Sequence, residues 1–149
     1  MIQLNLYDNS GQQFDLSKYL RGSKLGLVFF RGAWCNFCKT QLKELQNNLA
    51  TINKTDTKII AVSSDTKLNS SLLKEFLHLN FPVLSDSNFE IIDKFQLRTK
   101  YKDKDIAKPA VIIFDNKGSE LYRFVGQDYN DRLPTHNLLK VLEDLSYAS

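Results

Sequence analysis

Phe29-Phe30-Arg31-Gly32-Ala33-Trp34-Cys35-Asn36-Phe37-Cys38-Lys39 decides the fold, because the hydrophobic period changes inside it. Upstream, Lys24 to Arg31 is nearly continuous apolar sequence, the pattern of a central strand covered on both faces. Downstream, Cys38, Leu42, Leu45 and Leu49 recur at three- and four-residue steps, as in a helix that buries one stripe. The chain's 2 cysteines sit at this strand-to-helix junction.

Working outward, Ile2, Leu4 and Leu6 alternate with polar residues, as in an edge strand. Asp8-Asn9-Ser10-Gly11 is a turn signal, and Gln12 to Phe14 reads as the return strand of a hairpin. Asp15 caps a short helical piece, Leu16 to Leu20. Thr57 to Val62 is a second buried strand, followed by a Ser63-Ser64-Asp65 loop. Leu72, Leu73, Phe76, Leu77 and Leu79 predict an amphipathic helix capped by Ser70 or Ser71. Phe81 to Leu84 is a short strand interrupted by Pro82, and Asn88 to Phe95 a short helix.

The polar stretch Arg98 to Lys108 reads as a surface loop. Pro109 opens a strong strand, Ala110 to Phe114. Asp115-Asn116-Lys117-Gly118 is a hairpin turn from which Ser119 to Val125 returns antiparallel. Pro134 fits the first turn of a terminal helix with Leu138, Leu139, Val141, Leu142 and Leu145 on its core face. This order predicts one α/β domain over 1–149, a central mixed sheet flanked by helices with an N-terminal β-hairpin extension.

Composition narrows the function classes. With 42% hydrophobic and 25% charged residues, the chain has the balance of a folded globular protein. Its net charge of +3 comes from scattered residues, without the basic stripe and interleaved aromatics of a nucleic-acid binder. The longest apolar run, Leu25 to Phe30, is too short to span a bilayer. The N-terminus carries no basic region before Lys18, so a cytoplasmic protein without membrane attachment is expected.

The cysteine pair suits redox chemistry better than stapling. Bridging Cys35 to Cys38 closes so short a loop that chain entropy contributes only about 2 kcal/mol. A three-residue separation puts both sulfurs on one face of a helical turn. Cys35, at the helix start, faces unpaired N–H groups and the positive end of the dipole, which favour thiolate over thiol. A free thiol near pKa ~8.5 is roughly 3% ionised at pH 7, and one lowered to ~7 is half ionised. Cys38, aligned with Leu42, is more buried and is the natural resolving thiol. Trp34 and Phe37 partly shield the pair. Arg31 either adds positive potential beside it or is a solvated strand end.

Phe30 through Lys39 resembles the active-site segment of thioredoxin-fold proteins, where Trp-Cys-x-x-Cys-Lys ends the central strand. Pro109, before Ala110-Val111-Ile112-Ile113-Phe114-Asp115, resembles the cis-proline that lies against the cysteine pair in that family. The N-terminal hairpin and the segment Val125-Gly126-Gln127-Asp128-Tyr129 with Arg132 resemble the peroxiredoxin-like branch, the alkyl hydroperoxide reductase/thiol-specific antioxidant group that includes bacterioferritin-comigratory-protein-type members. That resemblance implies a thioredoxin-like fold and Cys35 and Cys38 as catalytic residues, with Trp34, Pro109 and Arg31 in support. It further implies a peroxide or protein-disulfide substrate and a thioredoxin-type reductant.

One departure bears on the substrate. Peroxiredoxins carry Pro-x-x-x-Thr/Ser-x-x-Cys, and counting back from Cys38 gives Arg31 at the Pro position and Cys35 at the Thr position. Two enzyme readings therefore stand: Cys35 (or Cys38) reduces a peroxide, or the pair exchanges disulfides with proteins. A third is a non-catalytic binding domain that keeps the fold. No cofactor or metal is expected: a structural zinc site needs four ligands, and His78 and His136 lack paired spacing. The glycines are too isolated for a phosphate loop. Asp65 and Asp86 read as turn formers, and Asp128, Tyr129 and Arg132 as a polar cluster at the surface.

Overall fold

The computed structural model describes residues 4–128 and 130–148. Its centre is a five-stranded mixed sheet of β1 (Lys24–Phe29), β2 (Thr57–Ser63), β3 (Val83–Ser85), β6 (Ala110–Phe114) and β7 (Glu120–Val125). The strand order is β3-β2-β1-β6-β7. β1, β2 and β3 run parallel, β6 pairs antiparallel with β1, and β7 returns antiparallel on β6. The Asp115–Gly118 turn is held by Gly118 N–H donating to Asp115 O and by Lys117 and Ser119 N–H groups donating to the Asp115 carboxylate.

Strand alternation divides the core into two layers. On one face Leu25, Leu27, Phe29, Ile60, Val62, Ile112 and Phe114 meet α1 (Leu16–Leu20) and α5 (Glu90–Lys94). On the other, Val28, Phe30, Ile59, Ala61, Val111 and Ile113 meet α2 (Asn36–Asn47), α3 (Leu49–Asn53), α4 (Lys67–Leu77) and α6 (Thr135–Ala148). Both cysteines belong to this second layer. No helix among the described residues is long and apolar enough to cross a membrane.

Several expectations change. The N-terminal hairpin reduces to one bridge, Tyr7 with Gln13, closed by Phe14 N–H donating to Leu6 O. Ile2 lies outside the described residues. The helix read through Leu49 breaks at Asn48, whose side chain donates to Glu44 O before α3 begins. Thr66, not Ser70 or Ser71, caps α4 by accepting from Asn69 N–H. That earlier start turns Ser70 and Leu73 inward and leaves Leu68, Leu72 and Phe76 exposed.

The stretch Arg98 to Lys108 is not a loop but a hairpin of β4 (Arg98–Tyr101) and β5 (Lys104–Ala107). Its two-residue turn puts Lys102 and Asp103 at φ 47° and 66°, the left-handed pair that matches strand twist. Arg98 ties it down through Asp93 at 2.7 Å and Asp105 at 2.9 Å. The proline expectation also changes, since no cis peptide occurs among the described residues. Lys108 and Pro109 connect β5 to β6. Along that path Lys108 N–H donates to Leu97 O and Pro109 O accepts from Gly126 N–H.

Candidate active site

β1 delivers the chain to the carboxyl edge of the parallel strands, where α/β folds gather their sites. Phe30 N–H still pairs with Val62 O, and then the chain turns. Ala33 N–H donates to the Asp65 carboxylate at 2.8 Å, and the same oxygen accepts from the Ser63 hydroxyl at 2.9 Å. Asp65 thus pins the loop to the end of β2. Cys35 N–H donates to Gly32 O, closing the turn that starts α2.

Cys35 is the N-cap itself. Its backbone is extended (φ −92°, ψ 115°) and its sulfur accepts the Cys38 N–H at 3.3 Å. The Cys38 thiol donates to the Cys35 sulfur at 2.7 Å, and the Arg31 N–H donates to the Cys38 sulfur at 3.4 Å. The two sulfurs already lie within a small movement of bonding.

The two thiols diverge sharply. Cys35 is held down to about 6, first by the Cys38 thiol, then by the Cys38 N–H and the Arg31 guanidinium, against the opposing effect of burial. Cys38 is pushed up by its hydrogen bond to Cys35, by burial and by the neighbouring sulfur's charge. For this tightly linked pair the direction is clear from geometry: Cys35 collects donors and a cation, whereas Cys38 is the donor. Of the two sulfurs, Cys35 is the better placed to carry negative charge.

Arg31 is not a solvated strand end. It is only 7% exposed, with its guanidinium 4.9 Å from the Trp34 ring and 4.4 Å from the Tyr101 ring. Trp34 and Tyr101 stack with centroids 5.1 Å apart and planes 8° from parallel. The shielding expected of Trp34 and Phe37 is partial. They remain 48% and 45% exposed, while Cys35 between them is 4% exposed.

Pro109 lines a cleft of about 220 Å³ together with Arg31, Tyr101, Lys108, Gln127 and Asp128. Of the surface cluster read from the sequence, Arg132 reaches the site: its guanidinium donates to Phe37 O at 2.8 Å, in the first turn of α2. Tyr129 lies outside the described residues. Asp86 is structural, its carboxylate accepting from Ile91 and Ile92 N–H at 3.2 and 2.7 Å. His78 and His136 are both exposed, at the end of α4 and the start of α6. Sequence reasoning missed Tyr101 altogether, since nothing near it in the chain announces the site 66 residues upstream.

Comparison with known proteins follows from this geometry. The model of the AhpC/TSA family matches residues 1–119. Peroxiredoxin Bcp of Escherichia coli K12 is 26% identical over 93 residues, covering 62% of this chain and 59% of that protein. Thiol-disulfide oxidoreductase ResA of Bacillus subtilis 168 is 27% identical over 93 residues, 62% of this chain and 51% of that one. The match thus spans less than two thirds of these curated relatives. Among solved structures, peroxidoxin BcpB from Mycobacterium tuberculosis superposes with a TM-score of 0.83 at 17% identity, over 95% of this chain and 92% of that one. Enterococcus faecalis AhpC gives 0.83 at 16% identity, over 99% and 90%. These structures share the fold.

Proposed function

The chain belongs to the AhpC/TSA family, and from that premise we propose that it is a thiol-dependent reductase of hydroperoxides that works through a Cys35/Cys38 dithiol–disulfide couple. One observation carries the reading: the Cys35 sulfur caps α2 as an acceptor while the Cys38 thiol points at it from 2.7 Å. Nucleophile and resolving group are therefore adjacent in one turn.

The chemistry balances as follows. The Cys35 thiolate attacks the terminal oxygen of R–O–O–H, the O–O bond breaks, and the alkoxide leaves and takes a proton from solvent. Cys35 is then a sulfenic acid. Cys38 attacks that sulfur, its proton leaves with the displaced hydroxide as water, and the Cys35–Cys38 disulfide forms. A thioredoxin-type dithiol returns two electrons and two protons. Arg31 stabilises the thiolate, Trp34 shields it, and Pro109 with Arg31 shapes the cleft where the second substrate approaches.

A second reading is favoured by Cys35 itself, which stands where peroxiredoxins carry Thr. In it the Cys35 thiolate attacks a protein disulfide, and Cys38 releases the reduced protein from the mixed disulfide. The half-exposed Trp34 and Phe37 rings suit such a partner.

The test offers the reduced protein hydrogen peroxide and a model protein disulfide, beside Cys35→Ser and Cys38→Ser. Peroxide consumption that ends in the intramolecular disulfide, is lost in Cys35→Ser, and stops after one oxidation in Cys38→Ser supports the main reading. Disulfide reduction that needs both cysteines, without peroxide consumption, supports the second. Turnover surviving in Cys35→Ser overturns the roles assigned here.

A further inference from the structure

The β4–β5 hairpin reaches the site from a distant part of the chain, and the last residue of its first strand, β4, is Tyr101. The Tyr101 ring lies against Trp34 on one side of the site and within 4.4 Å of the Arg31 guanidinium. Burying a cation costs free energy unless something replaces its water. Two ring faces do so here, since the negative face of an aromatic ring attracts a desolvated cation.

A second, independent feature points the same way. A Cβ on Gly32 would collide with the Trp34 indole nitrogen and lie 2.8 Å from its Cδ1. The absence of a side chain at residue 32 is what lets Trp34 fold back over the loop and meet Tyr101. The hairpin is itself braced, Arg98 bridging Asp93 and Asp105 and lying 4.0 Å over the Phe89 ring. Tyr101 is therefore presented by a fixed element.

We propose that Tyr101 is a positioning residue of this site: by stacking on Trp34 and Arg31, it holds the Arg31 guanidinium against the Cys35 sulfur. Its action on the sulfur runs through Arg31. The hairpin is then a working wall of the site. The other ionisable groups around the cluster include Lys102, whose Nζ lies 5.4 Å from the centre of the Tyr101 ring, Cys38 on α2, Asp65 after β2, Lys100 on β4, and Lys108 and Asp128 along the cleft. This inference rests on Cys35 being the reactive thiolate.

The experiment measures the pH dependence of iodoacetamide alkylation at Cys35, located by peptide mapping, in the reduced protein. Tyr101→Ala should raise the midpoint by about one unit, leaving roughly fivefold less thiolate at pH 6. Tyr101→Phe keeps the ring and should restore the original midpoint. Gly32→Ala, which displaces Trp34, should shift it in the same direction as Tyr101→Ala. Arg31→Gln should raise the midpoint at least as far, and adding Tyr101→Ala to Arg31→Gln should then change nothing more.

An unshifted midpoint in Tyr101→Ala, or an equal shift in the Arg31→Gln background, would overturn the proposal. Absence of low-pH alkylation at Cys35 in the unsubstituted protein would instead overturn the thiolate assignment beneath it.

Discussion

Replacing Cys38 by Ala removes the largest influence holding the Cys35 thiol at about 6, while leaving the residue-38 N–H and Arg31 in place. If all lowering were lost, Cys35 would return to about 8.5, and its thiolate fraction at pH 6 would fall about 160-fold. Nucleophilicity moves the other way. With a Brønsted slope near 0.45, 2.5 units of pKa make each thiolate about 13-fold more reactive. The net limit is an alkylation rate about 12-fold slower at pH 6. Because other donors remain, the loss in Cys38→Ala should be several-fold and below that limit.

Above pH 9 the order should reverse, since both proteins are ionised and the more basic thiolate attacks faster. The two pH–rate profiles should therefore cross. Iodoacetamide trapping from pH 4.5 to 10, read by mass at Cys35, measures both arms. Cys38→Ser, which retains an O–H donor, should fall between the parent and Cys38→Ala. A Cys38→Ala midpoint still near 6 would refute the reasoning, because the shift could not then come from the neighbouring thiol.

Three further outcomes follow from the packing. Thr66→Ala should cost about 1 kcal/mol by chemical denaturation, as loss of an N-cap does, whereas Ser70→Ala should be neutral or stabilising because the buried Ser70 hydroxyl has no hydrogen-bond partner among the described residues. Gly126→Ala puts a Cβ into the Asp131 carbonyl and should destabilise by about 1–3 kcal/mol; an unchanged denaturation midpoint would contradict the close approach.

A fourth outcome concerns pH. The depressed Cys35 value contributes stability that is present above the unfolded pKa and lost as pH falls through about 6. The raised Cys38 value has the opposite sign, withdrawing stability as pH rises past its unfolded pKa of about 8.5. The stability of the reduced protein, less that of the Cys35→Ser/Cys38→Ser variant, should therefore rise from pH 6 to about 8 and fall beyond pH 9. Denaturant midpoints under reducing conditions would show it, and a difference independent of pH would contradict both shifts.

The strand-to-helix junction was legible because β1 is apolar on both faces and α2 carries an unbroken buried stripe to Leu45. The Asp115–Gly118 turn was legible because its aspartate and glycine do local work. The β4–β5 hairpin was hidden for the opposite reason. Its turn, Lys102-Asp103, adopts positive φ without glycine or asparagine, and β4 buries none of its residues. α4 misled because Leu72 and Phe76, four residues apart, face outward, while the core side includes a serine. The sequence left Arg31 open between a charge beside the thiols and a solvated strand end because what buries it is tertiary, a ring delivered from 70 residues away. Local pattern reports periodicity, not which distant side chain arrives.

The sulfur that caps α2 links the oxidation state of the pair to the helix. As a thiolate, Cys35 offers a full negative charge to the Cys38 N–H and the positive end of the dipole. In a disulfide it has no charge and accepts weakly. The first turn of α2 is therefore best satisfied when the pair is reduced, and by reciprocity the helix favours the dithiol over the disulfide. Stabilising the reduced form raises the reduction potential of the couple. A disulfide between these two sulfurs is therefore more readily reduced than the same bridge would be away from a helix start.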